Sequence, residues 1–155
     1  MTGLSAALVL LSFLSLRGDP GRMPFPVRIF DTLPEAARPG DGPVLLVFFS
    51  TDCPRCYEDL IEARYLVRKA GWSASVVGVT SGPLDDLRGF LEKHGWSQPV
   101  IHDRKRALFR RFKVDMVPYK VVLVGGRTAY LDDPYETYDR RWEVLKKCLK
   151  RICSR

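Results

Sequence analysis

The sequence predicts an α/β fold in three layers, a mixed central sheet with helices on both faces. Three observations lead there. Apolar runs at Val44–Phe49, Ala74–Thr80 and Val121–Val124 have the β-branched and aromatic content of strands buried on both sides. Apolar residues between them recur at helical spacing, and a helix joining two strands makes their pairing parallel. Gly125-Gly126, between Val121–Val124 and Thr128–Leu131, is a two-residue hairpin turn that adds antiparallel pairing.

The elements follow in order. Residues 4–16 (LSAALVLLSFLSL) form an uncharged apolar run closed by Arg17, Gly18, Asp19 and Pro20. It falls short of the roughly 20 residues that span a bilayer and suits a signal-peptide core or a short anchor. Neither a preceding Lys or Arg nor a small-x-small cleavage site accompanies it. The expected organisation is a signal-like or anchor segment over 1–18, a linker and edge strand over 19–42, and one domain over 43–155. The strand-like piece of the linker is Val27–Phe30. After the strand Val44–Phe49, Ser50, Thr51 and Asp52 form a turn, and Pro54 fits a first helical turn because its missing N–H would be unpaired there. That helix runs to about Ala70, with Cys56, Leu60, Ala63, Val67 and Ala70 on one face and Gly71 as a stop. Ala74–Thr80 is the second strand. Ser81-Gly82-Pro83 opens a helix that turns Leu84, Leu87, Phe90 and Leu91 inward and ends at His94-Gly95. Pro99–Ile101 is a short extended piece, and Asp103 is the expected N-cap of a brief helix through Leu108 and Phe112. Asp139–Cys153 closes the chain as an amphipathic helix with Trp142, Leu145, Leu149 and Ile152 on one face.

With 46% hydrophobic and 28% charged residues over 155 positions, the composition is that of an ordinary globular domain. A net charge of +7 suits an anionic partner, lipid or nucleic acid, although a solvated basic surface is the simpler reading. No zinc-finger spacing or aromatic RNA-reading signature occurs, so nucleic acid is not an expected partner. Arg140, Arg141, Lys146, Lys147, Lys150 and Arg151 read as a solvated face of the last helix, able to lie on anionic lipid if the N-terminus is anchored.

Chemistry concentrates at Cys53-Pro54-Arg55-Cys56, after a buried strand and at a helix start. Two thiols at this spacing can close into a disulfide and reopen, and helix-terminal N–H groups favour a thiolate at the first. The rival is metal ligation, which needs about four ligands. The remaining candidates are Cys148, Cys153, His94 and His102; both histidines read as surface residues at helix ends or loops, and no metal is expected. Cys148 and Cys153 lie about 140° apart around their helix and cannot pair without unwinding it. Cys148 reads as a small buried residue, Cys153 as a free thiol or an intermolecular partner. Met116-Val117-Pro118 directly precedes a core strand, where proline marks a bend or a cis peptide.

On the segments LLVFFSTDCPRCYEDL, ASVVGVT and QPVIHDRKRALFRRFKVDMVPYKVVLVGGRTAYL the chain resembles thioredoxin-fold proteins, and among them the exported TlpA/ResA type of thiol–disulfide oxidoreductase. The likeness runs from about Val27 into the C-terminal helix. It implies a thioredoxin-like domain in which Cys53 is the exposed nucleophile and Cys56 the buried resolving thiol. It further implies that the backbone at Val117-Pro118 binds an extended client by strand addition. The implied activity needs no cofactor: an extracytoplasmic reductant of protein disulfides, of the cytochrome c maturation type, periplasmic or anchored through its N-terminus. Its partners would be protein thiols and disulfides and a membrane thiol reductase as electron donor.

The chain also departs from the pattern. Asp52 stands where Trp is usual, Val47 where thioredoxin keeps a buried acid, and Tyr119 where a small polar residue is common. Tyr119 would either line the client groove or fill core beneath it. Asp59, three positions after Cys56, matches an acid frequent in the TlpA/ResA type. It, or neighbouring Glu58, is expected to move the proton on and off Cys56; the alternative is a helix-surface carboxylate. Arg55 is expected beside the client and favours the reduced pair, while Asp52 opposes it. Because these charges conflict, an oxidant or isomerase is an alternative, as is a non-catalytic peptide- or metal-binding module of the same fold.

Overall fold

Val44–Phe48 is apolar at every position because both faces of the strand are covered, and this strand organises the rest. A computed structural model describes residues 28–37 and 42–154. The signal-like segment over 1–18 and most of the linker lie outside the described residues. In chain order the elements are β1 (Ile29–Phe30), α1 (Leu33–Ala36), β2 (Val44–Phe48), α2 (Pro54–Lys69), β3 (Ser75–Thr80) and α3 (Leu84–His94). There follow β4 (Val100–His102), α4 (Ala107–Arg111), β5 (Tyr119–Val124), β6 (Arg127–Leu131) and α5 (Tyr138–Cys153). They build a six-stranded sheet of order β1-β4-β3-β2-β5-β6. β1, β4, β3 and β2 run parallel; β5 is antiparallel to β2, and β6 to β5. The mixed sheet is the one the sequence predicts.

Strand alternation divides the core in two. Leu45, Val47, Phe49, Val76, Val100 and Val122 point to the side covered by α2, α3 and α5. Leu46, Phe48, Val77, Val79, Ile101, Val121 and Leu123 point to the side covered by α1 and α4. On the first side Cys56, Leu60, Ala63 and Val67 of α2 are buried together with Leu87, Phe90 and Leu91 of α3. Trp142, Leu145 and Leu149 of α5 are buried there too, whereas Ala70, past the end of α2, is exposed.

Several local features depart from the sequence reading. Four-residue α1 is too short to leave a periodic signal; its start is fixed by the Glu35 carboxylate, which accepts from the backbone N–H groups of Asp31 and Thr32 at 3.2 and 3.1 Å. Asp103 does cap α4, but from three residues before the backbone N-cap position, Arg106. Its carboxylate accepts from the N–H groups of Ala107, Leu108 and Phe109 at 2.8–3.1 Å, which satisfies the orphan donors of that turn. His102 is not a surface loop residue. It lies in β4, buried, with Nε2 2.8 Å from the Gly82 carbonyl. Tyr119 fills core on the α4 side, its ring edge-on to Phe48 at 6.3 Å.

Gly78 has a packing reason. A Cβ there would sit 2.9 Å from Phe49 Cε1 and 3.4 Å from Val100 Cγ2. Phe49 is wedged against Phe90, 5.4 Å between ring centres, and leads directly into the cysteine-bearing turn. Gly78→Ala is therefore expected to cost about 1–3 kcal/mol through overpacking. A urea-unfolding midpoint that does not fall would contradict this.

Candidate active site

Sheet register brings the candidate residues together. Phe48 of β2 lies opposite Tyr119 of β5. The chain leaving β2 through Phe49–Asp52 and the chain entering β5 through Val117-Pro118 therefore meet at one end of the sheet. The Val117–Pro118 peptide is cis.

Cys53 is the N-cap of α2. Its backbone is extended, and its Sγ accepts from the Cys56 N–H at 3.2 Å. The N1 residue is Pro54, which has no N–H to satisfy. Cys53 and Cys56 are joined in a disulfide with Cα atoms 5.3 Å apart, within the normal range. Cys53 is partly exposed and Cys56 fully buried. An attacking partner thus has access to one sulfur of the two. Cys148 and Cys153 are free thiols, Cys148 buried with its Sγ 3.7 Å from the Ala129 carbonyl. Burial raises the Cys153 thiol above its ordinary value.

The residues flanking the pair separate by environment. Asp52 is exposed and hydrogen-bonded by the Ser50 hydroxyl. That bond, then its own backbone N–H, holds its carboxyl below the usual range. Arg55 donates to Glu58 at 2.9 Å and lies over the Tyr138 ring at 4.7 Å. Glu58 is thus a surface partner of Arg55. Asp59 is not a helix-surface carboxylate: its side chain is 0% exposed.

Behind the pair lies a group of charges that reading the sequence did not assemble. Lys120, also 0% exposed, donates from Nζ to Asp59 Oδ2 at 2.6 Å and lies 3.2 Å from Asp132 Oδ2. Its Nζ also sits 4.8 Å from the centre of the Trp142 ring. Asp132 in turn accepts from the Lys120 backbone N–H, the Tyr130 hydroxyl and the Arg141 guanidinium. Arg141 therefore does not belong to the solvated basic face; its side chain is 11% exposed and closes this network. Lys120 was the visible signal, a lysine inside the apolar strand Tyr119–Val124. In strand alternation it shares the side of Val122, where α2 and α5 pack. Asp59 Oδ1 has no hydrogen-bond partner among the described residues although it is buried.

Burial alone would raise the Asp132 carboxyl. The Arg141 hydrogen bond and the Lys120 and Arg141 charges outweigh it and hold the group below its ordinary 3.8. Burial first, then the charge of Asp132, pushes the Tyr130 hydroxyl far up, so it stays a donor at physiological pH. Among the described residues no cluster of three or more His, Cys, Asp or Glu side chains could hold a metal ion.

Two expectations follow. Lys120→Met leaves two buried carboxylates without their shared cation and should destabilise the domain by about 3–5 kcal/mol. A loss under about 1 kcal/mol by chemical denaturation would show that the pair is not buried in solution. The depressed Asp132 carboxyl contributes stability that is whole above its ordinary 3.8 and is lost as pH falls toward its lower folded-state value. The melting-temperature gap between wild type and Asp132→Asn should therefore be wide at neutral pH and narrow below about pH 4; a gap that is constant with pH contradicts the assignment.

Comparison with known proteins adds the following. Residues 32–136 match the model of the AhpC/TSA family. No curated protein matches the chain by sequence. Among solved structures, a secreted disulfide oxidoreductase of Mycobacterium tuberculosis homologous to E. coli DsbE superposes with a TM-score of 0.55 at 15% identity, covering 72% of this chain and 82% of that one. StoA of Bacillus subtilis gives 0.55 at 18% identity, covering 70% and 82%. The peroxidoxin BcpB of M. tuberculosis gives 0.61 at 21% identity, covering 74% and 82%. At these identities the likeness is one of fold, the thioredoxin-like fold.

Proposed function

The chain belongs to the AhpC/TSA family, and on that premise we propose that it is a thioredoxin-like thiol–disulfide oxidoreductase that works outside the cytoplasm as a reductant of protein disulfides through Cys53 and Cys56. The observation that carries the reading is the asymmetry of the pair: Cys53 is partly exposed at the helix N-cap, and Cys56 is buried behind it.

In the proposed cycle the reduced pair meets a client disulfide. The helix N-terminus and the Cys56 N–H favour the Cys53 thiolate. That thiolate attacks one client sulfur, breaking the client S–S bond and releasing the other sulfur as a thiolate that takes up a proton. Cys56 then gives its proton to Asp59 and attacks the Cys53 Sγ. The Cys53–Cys56 disulfide closes and the second client sulfur leaves as a thiolate, which takes up a proton as Asp59 releases the one it accepted, so two electrons have passed from the dithiol to the client. A dithiol donor, a membrane thiol reductase, reopens the pair by the reverse exchange. Asp59 suits the proton role because it is buried, held by Lys120, and keeps Oδ1 without a partner among the described residues.

Val117 and Pro118 serve as the docking edge. The Val117 backbone makes no hydrogen bond among the described residues, which leaves it available to an extended client segment. Arg55, with its charge shared with Glu58 and its guanidinium on Tyr138, is assigned to the client side of the pair in this proposal. Reduction of apocytochrome c type clients and an N-terminal anchor belong to the same proposal. No helix among the described residues is long and apolar enough to cross a membrane, and residues 1–27 lie outside them.

Cys56→Ser is expected to hold clients and donor as mixed disulfides on Cys53, releasable by reductant, whereas Cys53→Ser holds none. Recovery of no adduct from the native compartment would overturn the reading. Asp59→Asn should slow the resolving step by about 100-fold and shift its pH profile. An unchanged profile would remove Asp59 from the mechanism.

A further inference from the structure

The carbonyl of Pro118 raises a question that the sheet does not answer. Lys120 O accepts from the Asp132 N–H at 2.9 Å, so at Lys120 the β5 carbonyl faces β6. Carbonyls two residues apart on a strand face the same way, so Pro118 O faces that side as well. β6, however, ends at Leu131, and no strand neighbour reaches Pro118. The donor comes instead from α5: Arg141 Nη2 donates to Pro118 O at 2.6 Å.

The same guanidinium holds Asp132 through Nε at 3.0 Å and through Nη2. Asp132 receives the Lys120 N–H at 3.1 Å. The segment from Pro118 to Lys120 is thus clamped at both ends by one side-chain pair, Arg141 and Asp132. Asp132 also shares the Lys120 ammonium with Asp59. Four charges alternate in a buried chain, Arg141, Asp132, Lys120, Asp59, from the docking loop to the acid behind Cys56.

Resting on the oxidoreductase reading above, we propose that Arg141 is a positioning residue that fixes the client-docking edge at Val117-Pro118 and ties it to Asp59 through Asp132 and Lys120. Only a guanidinium can do this at one site. Its planar fork supplies parallel donors to the carboxylate and a further one to the carbonyl, whereas an ammonium is a point charge. Without the clamp the Pro118 carbonyl has no donor, and the loop presents its backbone to a client in many orientations rather than one. A misplacement of this kind weakens reactions that need strand pairing far more than reactions that need only the sulfur.

The test uses the full-length chain with Arg141→Gln and Arg141→Lys. Each is assayed on a disulfide-bonded peptide and on a small aromatic disulfide that has no backbone to pair. For Arg141→Gln, kcat/KM on the peptide is expected to fall about 10- to 100-fold further than the rate constant on the small disulfide, with the loss mainly in KM. Arg141→Lys should recover part of the loss on the peptide. The pH profile of Cys56 alkylation in a Cys53→Ser background should also move in Arg141→Gln, because Asp132 and Asp59 share one lysine. Equal losses on both disulfides, scaled to the folded fraction measured by circular dichroism, would reduce Arg141 to a structural residue and overturn the proposal. An unchanged KM for the peptide would overturn it as well. A wild-type chain inert toward both disulfides would instead overturn the oxidoreductase reading, and this proposal with it.

Discussion

One buried cation holds the working end of this protein in place. An ammonium with no exposed surface is tolerated only when carboxylates surround it, and Lys120 has two, Asp59 from α2 and Asp132 just past β6. The consequence is geometric. The helix that carries Cys56, the strand that begins just after Pro118 and the connection into α5 must all converge on a single nitrogen. Hydrophobic packing against the sheet fixes the layers, but it would permit small slides of α2 along its axis. A hydrogen-bonded ion pair at 2.6 Å does not permit them. The interaction that stabilises the corner therefore also sets where the thiols stand relative to the Val117-Pro118 loop.

The rest of the site follows from strand direction. β2 and β5 are antiparallel neighbours, so the exit of one lies beside the entrance of the other. The cysteine turn occupies the exit and cis-Pro118 the entrance. Helix α2 starts at that exit, and its first turn offers the Cys56 N–H to the Cys53 sulfur while its buried face takes Cys56 inward. Local rules of helix initiation thus make the two thiols unequal before any client arrives. Arg141 and Asp132 do for the entrance what the helix N-terminus does for the exit: each supplies donors or acceptors to backbone that the sheet leaves unpaired.

Features encoded within one element were legible in the sequence. Continuous apolar runs marked the three main core strands, helical spacing marked α2, α3 and α5, and Gly125-Gly126 marked the hairpin. Cys53-Pro54-Arg55-Cys56 pointed to paired-thiol chemistry, and Val117-Pro118 to a bend or a cis bond. Features that depend on contacts between elements were not legible. Arg141 sits among five other basic residues of the last helix, and nothing local distinguishes it from Arg140, which is exposed and pairs with Glu143. Asp59 and Lys120 are 61 positions apart, and helical spacing could not tell a buried carboxylate from a surface one. Asp132 could be read as a loop acid. The absence of an acid at Val47 was visible, yet its counterpart was not: Val47 lies opposite Lys120 in the β2–β5 register. A lysine on the helix-covered side of a core strand was the one clue that a buried counter-charge had to exist.

The central claim is that Cys53 and Cys56 form a working redox couple, not a brace. It is tested most directly by equilibrating the full-length chain with thiol–disulfide buffers of graded potential and alkylating what is free, with each cysteine read by mass spectrometry. The expected result is that Cys53 and Cys56 open and close together in one two-electron transition between about −270 and −120 mV, where couples of this chemistry work. A pair still closed below about −300 mV would behave as a structural disulfide and would contradict the claim.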